Sequence, residues 1–151
     1  MFDKDKIINT LKETCLDVDC YWVVAGAAMV LHGVKAYTRD IDLGCNCKLA
    51  DHLQQLGYKT EILDDGSRKI RYSPDIEIFE DWREGELEVI DAIPVVSLEG
   101  IVIMKQQLGR EKDMEDIRLI REYIKINGGQ CANKDLYSTC PDVIAQGRIS
   151  R

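Results

Sequence analysis

The sequence predicts an α/β (α+β) fold, a mixed β-sheet flanked by helices, on three observations. Short β-branched or aromatic runs alternate with helical periodicity in the first half, turn-separated strand signals fill the middle, and paired amphipathic helices follow. With 151 residues, 45% of them hydrophobic and 31% charged, the chain suits one domain with one sizeable core.

Each element has its own warrant. Residues 3–15 space Ile7, Ile8, Leu11 and Cys15 along one helical face. Tyr21–Ala25 is a β-branched and aromatic strand candidate, and Ala27–Leu31 has high helix propensity and stops at Gly33. Asp40–Cys45 reads as a second strand and Leu49–Leu56 as a short amphipathic helix before Gly57. Tyr58–Leu63, the turn Asp64-Asp65-Gly66-Ser67, and Arg68–Tyr72 read as a hairpin. Asp75–Phe79 alternates with period two, and Glu86–Ala92 is a further strand candidate. Ser97 caps a helix over Leu98–Leu108, Gly109 interrupts, and Lys112–Ile126 continues as a helix closed by Gly128-Gly129. Residues 1–129 are expected to form the domain. The segment 130–151, with a poor helix over Lys134–Gln146, is expected to be a tail packed on or extending from it.

Composition removes several function classes. The longest apolar runs fall well short of the roughly 20 residues that a membrane span needs, and residues 1–14 lack the apolar stretch of a secretory signal. A cytoplasmic protein is the expectation. A net charge of −7 does not suit a long grip on nucleic-acid backbone, although a local cluster at Gly109-Arg110-Glu111-Lys112 could meet a nucleotide or a short RNA end. The six cysteines read as reduced thiols, and Cys45-Asn46-Cys47 is too closely spaced for a zinc pair; Cys131 and Cys140 could pair under oxidation.

Chemistry concentrates in Tyr21–Leu43. Within a strand, Asp40 and Asp42 would share a face about 6.6–6.8 Å apart. Their repulsion is on the order of 2.5 kcal/mol, large against a domain stability of about 5–15 kcal/mol, and a divalent cation would reverse its sign. Two carboxylates at this spacing suit Mg²⁺. A solvent-facing acidic edge strand is the alternative. Upstream, a strand ending at Gly26 with Ala27 and Ala28 opening a helix lets backbone N–H groups approach a phosphate. The spacing matches neither the dinucleotide-binding fingerprint nor the P-loop.

This combination resembles the signature of the nucleotidyltransferase-fold superfamily, the polymerase-beta-like proteins, in which Asp-x-Asp lies on the strand after a Gly-Gly or Gly-Ser turn and short helix. More narrowly, AGAAMVLHGVKAYTRDIDL is similar to the minimal and AbiEii-like nucleotidyltransferases, with Gly26, Ala28, His32, Gly33, Thr38 and Asp40-Ile41-Asp42-Leu43 at matching places. A second block, PVVSLEGIVIMKQQLGREKDMEDI, resembles the family's later segment at Lys105, Arg110, Lys112, Asp113 and Asp116. The likeness covers roughly residues 20–125. Ala27 stands where Gly or Ser is usual, and Ala36 where Arg is frequent.

The resemblance implies Mg²⁺-dependent (or Mn²⁺-dependent) transfer of a nucleoside monophosphate from a nucleoside triphosphate to a hydroxyl acceptor, which could be a small molecule, a tRNA end or a protein. Asp40, Asp42 and a third acid, Glu77 (Asp75 the runner-up), would be catalytic and hold the metal. Gly26, Ala27, Thr38, Arg39, Lys105, Arg110 and Lys112 would meet the nucleotide. The alternative is a non-catalytic module of the same fold, in a toxin–antitoxin or defence pair. A homodimer is one way a small domain with half a cleft completes its site. Read from the residues alone, Lys105 would snorkel outward, and Arg110 to Asp116 could be helix-surface ion pairs. His32 suits packing or hydrogen bonding, and Trp82 is a candidate for stacking a base.

Overall fold

Apolar residues at every second strand position decide which face of a sheet is covered. A computed structural model describes the backbone of residues 1–132 and the side chains through residue 127. In chain order the elements are α1 (Lys4–Thr14), β1 (Tyr21–Val24), α2 (Ala25–His32), β2 (Ile41–Cys45), α3 (Cys47–Gln55), β3 (Lys59–Ile62), β4 (Arg68–Ser73), β5 (Ile76–Glu80), β6 (Leu87–Ile90), β7 (Ile93–Val96), α4 (Leu98–Leu108) and α5 (Glu111–Ala132). The strands form one mixed sheet in the order β3-β4-β5-β2-β1-β7-β6. Pairs β2–β5 and β1–β7 are parallel and the other four antiparallel.

Register aligns two contrasting rows across this sheet. Ile70, Ile78, Leu43, Val23 and Val95 stand side by side, each fully buried, and form the spine of the core. One residue along, on the other face, Lys59, Arg71, Glu77, Asp42 and Val24 stand side by side. Helix α2 lies against β1, β2 and β7 and meets α1 and α4, while α3 meets β4. His32 of α2 joins Val96 at the end of β7 by a 2.8 Å hydrogen bond from Nε2 to the carbonyl.

The helix ends follow capping chemistry. Side-chain oxygens of Asp3, Asn46 and Ser97 accept from backbone N–H groups in the first turns of α1, α3 and α4. Gly33 and Gly109 close α2 and α4 as expected. Three expectations are corrected. Gly128-Gly129 does not close the last helix, which runs on to Ala132. The expected strand at 86–92 is the first arm of a hairpin whose second arm, β7, was missed: Asp91 and Ala92 both take positive φ in the connecting turn. β2 begins at Ile41, leaving Asp40 just outside the strand.

The chain divides into two units, residues 1–113 and 114–151. The first holds the sheet and α1 to α4. In the second, the described part is helical through Ala132, with Arg118 bridging Glu115 and Glu122 on its own helix. The expected helix over Lys134–Gln146 and the Cys131 and Cys140 side chains lie outside the described residues. Cys15, Cys20, Cys45 and Cys47 are free thiols. No helix among the described residues is long and apolar enough to cross a membrane.

Candidate active site

The β1–α2 junction sets the site. The helix starts directly from the strand, with Ala25 held at φ +58°, a conformation that costs an L-residue roughly 1–2 kcal/mol. No side chain caps α2, and no acid sits in its first turn, so the N–H groups of Ala25, Gly26 and Ala27 have neither an intrahelical partner nor a capping oxygen. Ala27 is buried, backbone included, while Ala25 and Gly26 are part-exposed, so these two are the part of the turn open to a ligand. A Cβ on Gly26 would stand 2.7 Å from Thr38 Oγ1. The backbone of Thr38 is bonded in both directions to Phe2, at 2.7 and 2.9 Å, so Thr38 has little freedom to retreat. Glycine at 26 and threonine at 38 are therefore one steric unit.

Asp42, four residues past Thr38, lies on β2 beside this junction. Its carboxyl is pushed up to about 6, first by burial and then by the negative charges of Asp40 and Glu77, with Lys69 and Arg71 pulling the other way. Asp40 and Glu77 thus both oppose ionisation of Asp42. The three acids do not form a cage: among the described residues no three His, Cys, Asp or Glu side chains are gathered as a metal site. Glu77, the register partner of Asp42, has Oε2 at 2.8 Å from Arg71 Nη2 and 3.5 Å from Lys69 Nζ. Asp40 is exposed. Asp75 precedes β5, and its carbonyl accepts from Ile41 N–H, so it does not share a strand face with Glu77 as expected.

A small cleft of about 60 Å³ joins Asp42 to the second block of the sequence; Ala25, Trp82, Lys105, Leu108 and Arg110 are among its walls. Two readings of this block are corrected. Lys105 does not snorkel outward but is buried, with Nζ 3.4 Å from Asp113 Oδ1. Asp113 is no surface partner either; it has no exposed area. Its oxygens accept from Arg110 Nε at 2.6 Å, Arg110 Nη2 at 3.1 Å and the Arg110 backbone N–H at 3.2 Å. The last bond is half of a capping box at the start of α5. Hydrogen bonding to Arg110, aided by the Lys105 charge, lowers the Asp113 carboxyl to about 2. Lys112 and Arg39 are exposed and do not line this cleft.

Beside it opens a larger cleft of about 790 Å³, which shares Trp82 and Leu108 with the smaller one and also meets Phe79, Asp81 and Arg83. Trp82 is set by its backbone: its carbonyl accepts from Trp22 Nε1 at 2.7 Å across Gly44, where a Cβ would stand 2.6 Å from that oxygen.

Among solved structures, the chain is similar to a Thermotoga maritima protein described as a "putative nucleotidyltransferase", with a TM-score of 0.55 and 17% identity over 78% of this chain and 93% of that one. The fold is nucleotidyltransferase-like. The chain is also similar to the lincosamide antibiotic adenylyltransferase LnuA in its lincomycin-bound form, with a TM-score of 0.48 and 17% identity over 76% of this chain and 92% of that one. No protein-family model and no curated protein matches the chain.

Within this nucleotidyltransferase-like fold, sequence reasoning missed Lys69 and Arg71 as neighbours of the acids. Their positions depend on β4 pairing beside β5, a contact that no local pattern announces. It also read Asp113 as part of a surface charge run, although the three-residue spacing from Arg110 was a usable capping signal.

Proposed function

We propose that the chain is a nucleotidyltransferase that moves a nucleoside monophosphate from a nucleoside triphosphate to a hydroxyl acceptor, with Mg²⁺ (or Mn²⁺) as the metal. The observation that carries this reading is the meeting of Asp42, the start of α2, Lys105 and Arg110 around one phosphate-sized cleft. Carboxylate oxygens are the donors that a hard divalent cation takes. Asp42 is a half-buried carboxylate whose ionised form is opposed by two neighbouring acids, and Asp40 and Asp42 would hold the ion. Bound there, it supplies charge neutralisation for the triphosphate and the leaving pyrophosphate.

The chain's own groups do the rest. Backbone N–H groups of Ala25 and Gly26, the part-exposed residues of the first turn, meet phosphate oxygens at the positive end of α2. Lys105 and Arg110, aimed by Asp113, add positive charge on the opposite wall. Glu77 would complete the metal site and orient or deprotonate the attacking hydroxyl, while Thr38 shapes the entry by its contact with Gly26. The larger cleft falls in the size range of small-molecule sites and has room for a nucleoside or an acceptor against Trp82.

The ion pairs on Glu77 favour a second reading, a non-catalytic module of the same fold that acts through a partner. One assay separates the two. The protein is incubated with Mg²⁺, each labelled nucleoside triphosphate in turn, and small hydroxyl compounds, tRNA or the protein itself as acceptor. The catalytic reading expects label transfer by the wild type and a loss of at least about 100-fold in Asp42→Asn. Absence of transfer and of nucleotide binding in the wild type would reject it and leave the module.

A further inference from the structure

We propose that Arg71, seconded by Lys69, is a positioning residue that holds the Glu77 carboxylate away from the Asp40 and Asp42 pair, so that two cations on β4 set how readily the site takes up a metal ion. This rests on the nucleotidyltransferase reading above and names a control that the acids alone do not provide.

Register creates the competition. Arg71, Glu77 and Asp42 are immediate neighbours on three adjacent strands, so the Glu77 side chain stands between a guanidinium and a carboxylate. In the structure Oε2 is taken from the β4 side, by Arg71 at 2.8 Å and Lys69 at 3.5 Å. Arg71 is itself anchored: its Nη1 donates to the Pro74 carbonyl at 3.2 Å, which ties the guanidinium to the β4–β5 turn. Lys69 also reaches Glu61 of β3 at 3.9 Å.

The arrangement is exchangeable rather than fixed. The Arg71 side chain is 49% exposed and that of Glu77 22%, and with Lys59, Glu61 and Lys69 they line an open hollow of about 210 Å³. Solvated ion pairs of this kind are weak, and a glutamate can change partner by side-chain rotation while both strands stay in place. Arg71 and Lys69 therefore lower metal affinity by occupying one ligand, and removing them releases it. A role confined to holding β4 on β5 predicts no such effect.

The test measures Mn²⁺ binding by the full chain, reading free Mn²⁺ by electron paramagnetic resonance. It compares the wild type, Arg71→Gln/Lys69→Gln, Glu77→Gln, the triple variant, Arg71→Lys and Asp42→Asn. Affinity is expected to rise roughly fivefold in Arg71→Gln/Lys69→Gln, a change of the size that one exposed ion pair supports. That gain should vanish when the triple variant is compared with Glu77→Gln, and Arg71→Lys should stay near wild type.

No gain, a loss, or a gain that survives in the triple variant would overturn the proposal, the last because it would reflect removal of positive charge in general. If the wild type binds Mn²⁺ through Asp42 and the β4 substitutions change nothing, this proposal falls and the metal site stands. If neither the wild type nor Arg71→Gln/Lys69→Gln binds Mn²⁺, both fall. Arg71→Gln alone, with an expected gain of at least about twofold, serves should the double variant fail to fold.

Discussion

Two places in this protein pair one carboxylate with an arginine and a lysine, and they behave differently. At the start of α5, Asp113 is fully buried and takes Arg110 and Lys105 through both oxygens and a backbone bond. At β5, Glu77 takes Arg71 and Lys69 through one oxygen at a partly open surface. Burial makes the first a clamp: its charge has no solvent to turn to, so the cations it holds are fixed parts of the small cleft. Exposure makes the second a weak association that solvent or a competing ion can replace. A carboxylate with an arginine and a lysine thus gives a rigid wall on one side of Asp42 and an adjustable one on the other.

The strongest way to break this contrast is Asp113→Asn. It withdraws the negative charge that a buried lysine faces, and the expected loss is about 2–4 kcal/mol of stability by urea unfolding, discounted because the Arg110 side chain is half exposed. A loss below about 1 kcal/mol, like that expected of the exposed Glu77 pair, would erase the distinction.

A second test uses pH. Asp113 is lowered to about 2, so its contribution is present above the ordinary carboxylate range near 4 and is lost as pH falls through about 2. Asp42 is raised to about 6, so its sign is opposite. Its contribution is full below about 4 and disappears as pH rises through about 6. Between pH 4 and 6 the wild type should lose about 2 kcal/mol that Asp42→Asn does not. Equal slopes in the two proteins would mean that burial and the neighbouring acids do not raise Asp42.

The smallest effect sharpens the picture at α2. Gly26→Ala brings a methyl group against Thr38 Oγ1 and should cost about 1–2 kcal/mol, and Thr38→Ala in the same chain should recover most of that cost. Additive losses in a thermal melt would show that the two residues are not a steric unit.

Much of this was legible from local patterns. The alternation through Ile41–Cys45 and Ile76–Glu80, the cap at Ser97, and the stops at Gly33 and Gly109 each encode their own geometry. β7 was not legible, because Asp91-Ala92 lacks the glycine that usually marks a two-residue hairpin turn, and Pro94 argues against a strand. In the site, Gly26, Asp42, Lys105 and Arg110 could be nominated because their residue types suit phosphate and metal chemistry. Lys69 and Arg71 could not, since neither is near Asp42 along the chain and strand order alone brings them there. The burial of Asp113 was hidden for a different reason: the charged neighbours Glu111, Lys112 and Glu115 make its surroundings read as solvent.

Gly44 shows how a bare position can fix a distant contour. With no atom projecting from it, the backbone after β5 settles close enough for the Trp22 indole to fasten the oxygen of Trp82. Any larger residue there would lift that segment from the sheet and carry the Trp82 ring away from both hollows it borders. The outline of both hollows is thus drawn partly by a hydrogen atom on the second strand.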